Sequence, residues 1–370
     1  MAQNGGNSRA PKRWLFGPGP TQVAESVYQA MTNNVVGHLD PYFFEVVNDL
    51  RAGLRTVFGT SNEMTLAISG TGSSGMETAV ANFVEPGLKF GVFAAGYFAD
   101  RISEMARRHG TTVVRADKPW GETFDAAEAR DFVRRERPDI VAFIHAETST
   151  GALQDPEPIC QAAKEAGALV IADTVTSLGA VPVAADAHGI DIAYSCSQKG
   201  LSCPPGLAPV TISPRALAKL DARKSPCPVW YLDLKLLRDY YDGRKYHHTA
   251  SATLMYALRE ALRLVGEEGA ARRFERHRLA HEYFVRRIEG LGFGMHVREG
   301  CRIPNLNTVR VPPGVDEPKV RARLLNEFGI EIAGGFGPLA GKIFRIGLMG
   351  PLATTEGVDR FLDAFVKVLH

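Results

Sequence analysis

The chain has 370 residues, more than a single hydrophobic core usually serves, so a large domain and a smaller one are expected. Hydrophobic residues make up 45% of it and charged residues 23%, ordinary values for a globular protein that exclude the disordered classes. Its 43 basic and 41 acidic residues leave a net charge of +2, too small to attract nucleic acid or an anionic membrane.

Cysteine usage and the chain ends indicate a cytoplasmic protein. The five cysteines are widely spread without a CxxC pair, which fits a reducing compartment. Residues 1–11 are polar and lack the apolar stretch of a signal peptide, and no run approaches about 18 apolar residues. Residues 366–370 give no peroxisomal tripeptide. We therefore expect a cytoplasmic location and no membrane partner.

Short apolar runs alternate with segments of helical period from residue 64 to about 212. This alternation predicts a doubly wound α/β domain with a mostly parallel sheet. The predicted strands are Met64–Ser69, Phe90–Ala94, Thr112–Arg115, Ile140–His145, Ala168–Ala172, Ile192–Ser195 and Ala208–Ile212. In such a sheet, ligands bind beyond the carboxyl ends of the strands.

The rest of the chain predicts two helices and a small α+β domain. Apolar residues recur at helical spacing over 253–268 and 270–291. Short strands and two further helices follow: Gly292–Val297, Thr308–Val311, Glu331–Ala333 and Phe344–Ile346 as strands, Pro318–Phe328 and Thr355–Leu369 as helices. We divide the chain into an N-terminal arm (1–20), a large domain (21–268) and a small C-terminal domain (269–370).

The glycine-rich segment Ser69–Gly75 follows a predicted strand and opens a helix. Backbone N–H groups, hydroxyls and the positive helix end can converge there on a phosphate. Gly70, Gly72 and Gly75 also match the dinucleotide fingerprint, but the next strand does not end in the acidic residue that this fingerprint requires. A phosphate cup is favoured over a nicotinamide site or a purely structural turn.

Two charged residues follow apolar strands of the same predicted sheet. Asp173 ends the run 168–172, where an unpaired carboxylate would be costly, so it needs a cation such as a pyridinium nitrogen or serves as a helix N-cap. Lys199 follows the strand 192–195, and partial desolvation would make its amine a nucleophile, although a lysine in a loop is more often solvated. The phosphate cup, the aspartate and the lysine follow one another along the chain in an order that suits a single cofactor.

These features resemble a family of pyridoxal-phosphate (PLP) enzymes of fold type I, the class V aminotransferases, and among them the alanine–glyoxylate and serine–pyruvate aminotransferases. The likeness runs nearly from end to end of the chain. The matching segments are Gly17–Pro20, Ser69–Gly75, Glu147–Gly151, Asp173–Ser177, Ser195–Gly206, Tyr246–Thr249 and Arg345–Gly350. The resemblance implies the PLP-transferase fold, with a large sheet domain and a small C-terminal α+β domain.

The resemblance implies a role for each matching residue. Lys199 would hold PLP as a Schiff base and move the substrate proton, while Asp173 would pair with the pyridine nitrogen. Thr71, Gly72 and Gln198 would hold the phosphate, and Thr148 would hydrogen-bond the ring hydroxyl. Phe98 and Val175 would cover opposite faces of the ring, and Ser73 would be a further cofactor contact in the pocket wall.

The resemblance also implies a homodimer with shared active sites. Tyr246 and Thr249 would reach the phosphate of the neighbouring subunit. Arg345 would bind the substrate α-carboxylate, for which its planar fork is suited, with Gly19 as a further substrate contact. A metal at the Tyr246–Thr249 segment is not expected, because no third ligand follows at a plausible spacing.

The chain departs from the human-type pattern of this group at two positions. Phe98 stands where the pattern has a tryptophan stacked on the ring, and Ser73 stands where it has a histidine after the phosphate-binding glycine. Stacking is retained on a smaller surface, and one wall of the cofactor pocket changes. The departures bear on cofactor affinity and rate.

The implied reaction is a ping-pong transamination from alanine or serine to glyoxylate or pyruvate. A cysteine desulfurase is an alternative, with Cys301 as the thiolate, although desulfurases commonly place His before the lysine where this chain has Gln198. A catalytically silent PLP-binding accessory protein is the second alternative.

Overall fold

The computed structural model describes residues 10–369. Its strands are β1 (Trp14–Leu15), β2 (Met64–Ser69), β3 (Lys89–Ala94), β4 (Thr112–Asp117), β5 (Ile140–Ile144), β6 (Ala146–Glu147), β7 (Ala152–Leu153), β8 (Leu169–Asp173), β9 (Ile192–Tyr194), β10 (Leu207–Ile212), β11 (Leu306–Arg310), β12 (Ile330–Glu331), β13 (Ala333–Gly334) and β14 (Ile343–Gly347).

The α-helices surround these strands. They are α1 (Glu25–Ala30), α2 (Pro41–Phe58), α3 (Gly72–Phe83), α4 (Tyr97–Arg108), α5 (Ala126–Glu136), α6 (Pro156–Glu165), α7 (Ala185–His188), α8 (Pro214–Asp221), α9 (Leu234–Tyr241), α10 (Ala252–Glu268), α11 (Ala270–Gly290), α12 (Glu317–Phe328) and α13 (Thr355–Leu369). Local sequence fixes several helix starts: α5 begins after Asp125, which forms a capping box with Glu128.

A seven-stranded sheet in the order β2-β10-β9-β8-β5-β3-β4 forms the centre of the large core. Strands β4, β3, β5, β8 and β9 are parallel, while β10 is antiparallel to both of its neighbours, β2 and β9. Strand β2 therefore runs in the same direction as the parallel strands. Except for β10, the carboxyl ends of all these strands meet at one edge of the sheet.

The sheet is apolar on both faces because helices cover both of them. All residues of β2, β5, β8, β9 and β10 are buried. The seven predicted strands of this region are all present, with bounds that differ by at most two residues.

A second hydrophobic core gathers side chains from α11, α12 and α13 on a three-stranded sheet in the order β11-β14-β13. The N-terminal segment belongs to this core, since β1 pairs in parallel with β12 and Phe16 is fully buried beside Phe361. The domain bounds at residues 20 and 268 stay predictions.

Two predicted strands of the small core are wrong in detail. The segment Gly292–Val297 is a turn and loop that contacts the sheet through a single bridge between Met295 and Val309. It starts in a turn in which Gly292 has a left-handed φ of 85°. The predicted strand Glu331–Ala333 is divided into β12 and β13, which pair with different partners.

Within residues 10–369, no helix is long and apolar enough to cross a membrane. The cytoplasmic location stays a prediction.

Candidate active site

A cavity of about 220 Å³ lies at the carboxyl edge of the large sheet. Its lining brings together most of the predicted cofactor residues and several that were not predicted. The lining residues are Gly19, Thr71, Gly72, Ser73, Met76, Phe98, Arg101, Ile144, Ala146, Thr148, Asp173, Val175, Gln198 and Lys199. Segments more than 170 residues apart in the chain therefore share one small volume.

Lys199 is 9% exposed and lies in the turn that follows β9. Its Nζ donates a hydrogen bond to the backbone carbonyl of Pro18, and its stem runs against Gly19. Burial lowers the pKa of the Lys199 ammonium below its usual value. The neutral amine needed for nucleophilic attack is thus easier to reach here than in water.

Asp173 ends β8 and is 3% exposed. One carboxylate oxygen accepts a hydrogen bond from the Val175 N–H at 2.9 Å and the other from the Tyr194 hydroxyl at 2.8 Å. Burial raises the pKa of Asp173 to about 6, against the lowering effect of these two bonds. A cation in the cavity would stabilise the ionised form further.

The cup predicted from the glycines is the N-terminus of α3. The helix begins at Gly72, so the first N–H groups of its opening turn lack intrahelical partners and can bind an anion. Gly72 permits a close approach: a Cβ there would lie 3.2 Å from both Cys196 Cβ and Val175 Cγ2. Within the described residues, the buried Oε1 of Gln198 has no hydrogen-bond partner.

Other predicted contacts surround the same cavity. Phe98 and Val175 are half-buried apolar side chains of its lining. Thr148 is 3% exposed, and its hydroxyl is hydrogen-bonded to that of Thr176. These positions agree with ring contacts, whose assignment stays a prediction.

Arg345 lies on β14 and joins the two cores. Its Nε donates to the Gly334 carbonyl at 2.7 Å, and Nη1 donates to the Thr148 carbonyl at 3.3 Å. The guanidinium also lies 4.4 Å from the centre of the Phe336 ring. Although burial lowers the pKa of Arg345 to about 10, the side chain remains a cation at neutral pH.

Four predicted residues lie outside the lining of this cavity: Arg345, described above, and Tyr246, Thr249 and Cys301. Tyr246 is 57% exposed, with its hydroxyl 3.5 Å from the Thr249 hydroxyl. Both stand apart from their own chain's cavity, so a contact with a partner's cofactor stays a prediction. The Sγ of Cys301 lies 3.4 Å from Thr123 Oγ1, away from the lining.

Sequence reasoning missed Glu147, which holds residues next to the cavity through hydrogen bonds to their backbone. Its carboxylate accepts hydrogen bonds from the Phe98 N–H at 3.2 Å and the Ser149 N–H at 3.0 Å, which ties two segments of the lining together. Burial raises the pKa of Glu147 to about 7. Arg101 was also missed, although it follows Phe98 at i+3 on α4, a spacing that places both on one helix face.

Comparisons with known proteins identify the family. A family model described as Aminotransferase class-V matches residues 13–361. The crystal structure of an alanine–glyoxylate aminotransferase from Nostoc sp. has a TM-score of 0.97 and 48% identity, covering 99% of this chain and 97% of that one. The chain belongs to the class-V aminotransferase family.

Two curated relatives extend this result. The alanine–glyoxylate aminotransferase of Oryctolagus cuniculus is 36% identical over 97% of this chain and 93% of its own length. The (S)-ureidoglycine–glyoxylate transaminase of Bacillus subtilis is 37% identical, covering 97% and 91%. This class-V aminotransferase is a PLP-dependent transaminase with amino acid and oxo acid substrates, and the predicted family, fold class and cofactor are confirmed.

The cavity fits PLP. The opening turn of α3 and the unpartnered Gln198 Oε1 offer polar groups at one end, the buried Lys199 amine offers a nucleophile, and Asp173 offers an anion. The half-buried Phe98 and Val175 supply apolar surface for a ring. The residues that would hold the phosphate, the aldehyde carbon and the ring nitrogen are thus all present.

Proposed function

We propose that this class-V aminotransferase transfers the amino group of alanine or serine to glyoxylate or pyruvate by a ping-pong mechanism. The observation that carries the proposal is the single cavity that brings Lys199, Asp173 and the N-terminus of α3 together. Lys199 and Asp173 are the catalytic pair.

Bound PLP supplies an electron sink that stabilises the carbanion formed when the substrate Cα–H bond breaks. Lys199 would hold the cofactor covalently between turnovers. Once released, its Nζ would take the Cα proton and deliver it to the cofactor carbon within the same half-reaction, and the oxo acid would run this path backwards. Its lowered pKa suits this role, because a base that is already protonated cannot accept a proton. Asp173 would pair with the ring nitrogen and favour its protonated form.

Arg345 binds the substrate α-carboxylate. It is buried and cationic, and backbone carbonyls at Gly334 and Thr148 fix the plane of its guanidinium. A fixed fork matches the geometry of a carboxylate. Gly19 lines the cavity beside Lys199 and leaves room for a small substrate.

Glyoxylate is the preferred acceptor in this proposal. The three relatives described above act on glyoxylate according to their names, but they differ in the amino donor. The donors proposed here are alanine and serine. The ureidoglycine named for the Bacillus subtilis relative belongs in the same substrate panel.

We further propose that the working unit is a homodimer. Most large exposed apolar side chains belong to residues 28–42 and 230–246, and the rings of His38 and Tyr246 join these segments at 4.8 Å. Exposed apolar side chains gathered on neighbouring segments are typical of an interface. A second copy seated there would bring Tyr246 and Thr249 to the partner's phosphate. The molar mass from light scattering tests the dimer.

The experiment that tests the function follows the visible band of the cofactor on Lys199. L-alanine should remove the band and glyoxylate should restore it, while Lys199→Ala should lack it. Arg345→Gln should raise the KM of both substrates on the order of hundredfold through lost charged hydrogen bonds, while Arg310→Gln, on the exposed end of β11, should not. A band in Lys199→Ala would overturn the assignment of the lysine. A band unmoved by alanine and serine would overturn the donors.

A further inference from the structure

Arg101 contacts both residues at which this chain departs from the human-type pattern, Ser73 and Phe98. Its Nη1 donates a hydrogen bond of 3.1 Å to the hydroxyl of Ser73, in the first turn of α3. Its guanidinium carbon lies 4.8 Å from the centre of the Phe98 ring. All three side chains line the cavity.

We propose that Arg101 is a positioning residue that holds the phosphate cup and the Phe98 ring as one unit and so sets the affinity for PLP. The proposal rests on the assignment of the cavity to the cofactor. It adds a residue that none of the predicted roles includes.

The chemistry of arginine allows both contacts at once. A guanidinium donates hydrogen bonds in its own plane while its face lies against an aromatic ring, which a lysine ammonium cannot do. The backbone N–H of Phe98 is already held by Glu147, so the arginine adds the second restraint, on the ring itself. A phenylalanine covers less of a cofactor ring than a tryptophan and so contributes less binding energy. Fixing the Phe98 ring before the cofactor binds offsets part of that loss.

The charge of Arg101 also acts on the cavity. Its hydrogen-bond partner is a neutral hydroxyl, so the positive charge is not cancelled by that contact. Burial chiefly raises the pKa of Asp173, and the Arg101 charge is among the smaller influences that lower it. A cation beside the N-terminus of α3 favours a phosphate there.

The experiment is a titration of the apoenzyme with PLP, combined with visible circular dichroism of the bound cofactor, which reports how rigidly the ring is held. Arg101→Gln should raise the Kd for PLP roughly tenfold to hundredfold and weaken the dichroic band. Ser73→Ala should raise the Kd less. The double variant should fall short of the product of the two single effects, because both remove the same contact.

Arg108→Gln is the matched control, since Arg108 is an exposed arginine of the same helix whose salt bridge, among residues 10–369, is with Glu104. Equal Kd values for Arg101→Gln and Arg108→Gln would overturn the proposal, and so would fully additive effects of the Arg101 and Ser73 variants. Should apo Arg101→Gln unfold, Arg101→Lys replaces it: a Kd and a dichroic band like those of the wild type would overturn the role of the planar fork. Lys199→Ala tests whether this cavity is the cofactor site at all. Failure of that assignment is therefore distinguishable from failure of the role proposed for Arg101.

Discussion

The stem of Lys199 lies directly against Gly19, so close that a Cβ at Gly19 would be 2.5 Å from Lys199 Cδ and 2.6 Å from Cε. Gly19 also has a φ of 122°, which a residue with a side chain rarely adopts. A side chain at Gly19 would therefore require both backbone strain and a shift of Lys199. The N-terminal arm, through this glycine and the Pro18 carbonyl, fixes where the amine points.

Gly19→Ala is expected to displace Lys199 and to reduce kcat by at least about tenfold, because small misplacements of reacting groups are costly. Backbone strain should also lower the free energy of unfolding by roughly 1–3 kcal/mol. Gly17→Ala is the control, since its Cβ would meet only the Glu331 carbonyl oxygen, at 3.9 Å. Steady-state kinetics and urea unfolding measure both effects. Equal kinetics for the two variants would show that the absence of a side chain at Gly19 is not needed to position Lys199.

Glu147→Gln should change how the stability of the apoenzyme depends on pH. Burial raises the pKa of this carboxyl from 4.5 to about 7, so the folded state binds the proton more tightly than the unfolded state. Its contribution to stability is present below pH 4.5 and is lost as the pH rises through about 7. The total loss amounts to about 3 kcal/mol.

The variant cannot titrate at this position, so it should gain stability relative to the wild type between pH 5 and pH 8. Urea unfolding at fixed protomer concentration measures the difference. Glu63→Gln, at an exposed position before β2, serves as the control. A difference between Glu147→Gln and wild type that stays constant with pH would refute the expectation.

Tyr194→Phe should shift the titration of Asp173. The phenol donates a hydrogen bond to the carboxylate and lowers its pKa, so its removal raises that pKa above about 6. The loss of one such bond corresponds to about one pH unit. The acidic limb of PLP binding by the apoenzyme, which needs this carboxylate ionised, should therefore move to higher pH.

The control for this variant is Tyr241→Phe. Tyr241 is buried in the same core, but its hydroxyl donates to the Ala67 carbonyl, away from Asp173. A pH profile for Tyr194→Phe identical to that of Tyr241→Phe would show that the phenol does not control this carboxylate.

The sequence predicted the strand ends of the large sheet well because parallel buried strands are continuous apolar runs followed by chemically distinctive residues. Asp173 and Lys199 stand out in this way. Arg101 and Glu147 do not stand out in the sequence. Their roles come from contacts made across the fold: Arg101 with Ser73, and Glu147 with Phe98. The segment Gly292–Val297 resembles a strand in sequence because its apolar residues alternate, although it contains two glycines.

Cys301→Ser should leave the rates of transamination and of sulfide release unchanged, because the Cys301 thiol lies beside Thr123 and outside the cavity that holds Lys199. A desulfurase needs its thiolate to reach the sulfur of a substrate bound at that lysine, which the present arrangement does not provide. Sulfide release from L-cysteine and glyoxylate-dependent transamination are measured on the same preparations. Cys227→Ser, at another partly buried cysteine, is the control. Sulfide release by the wild type that disappears only in Cys301→Ser would make desulfuration an activity of this chain and would require the segment bearing Cys301 to move towards Lys199.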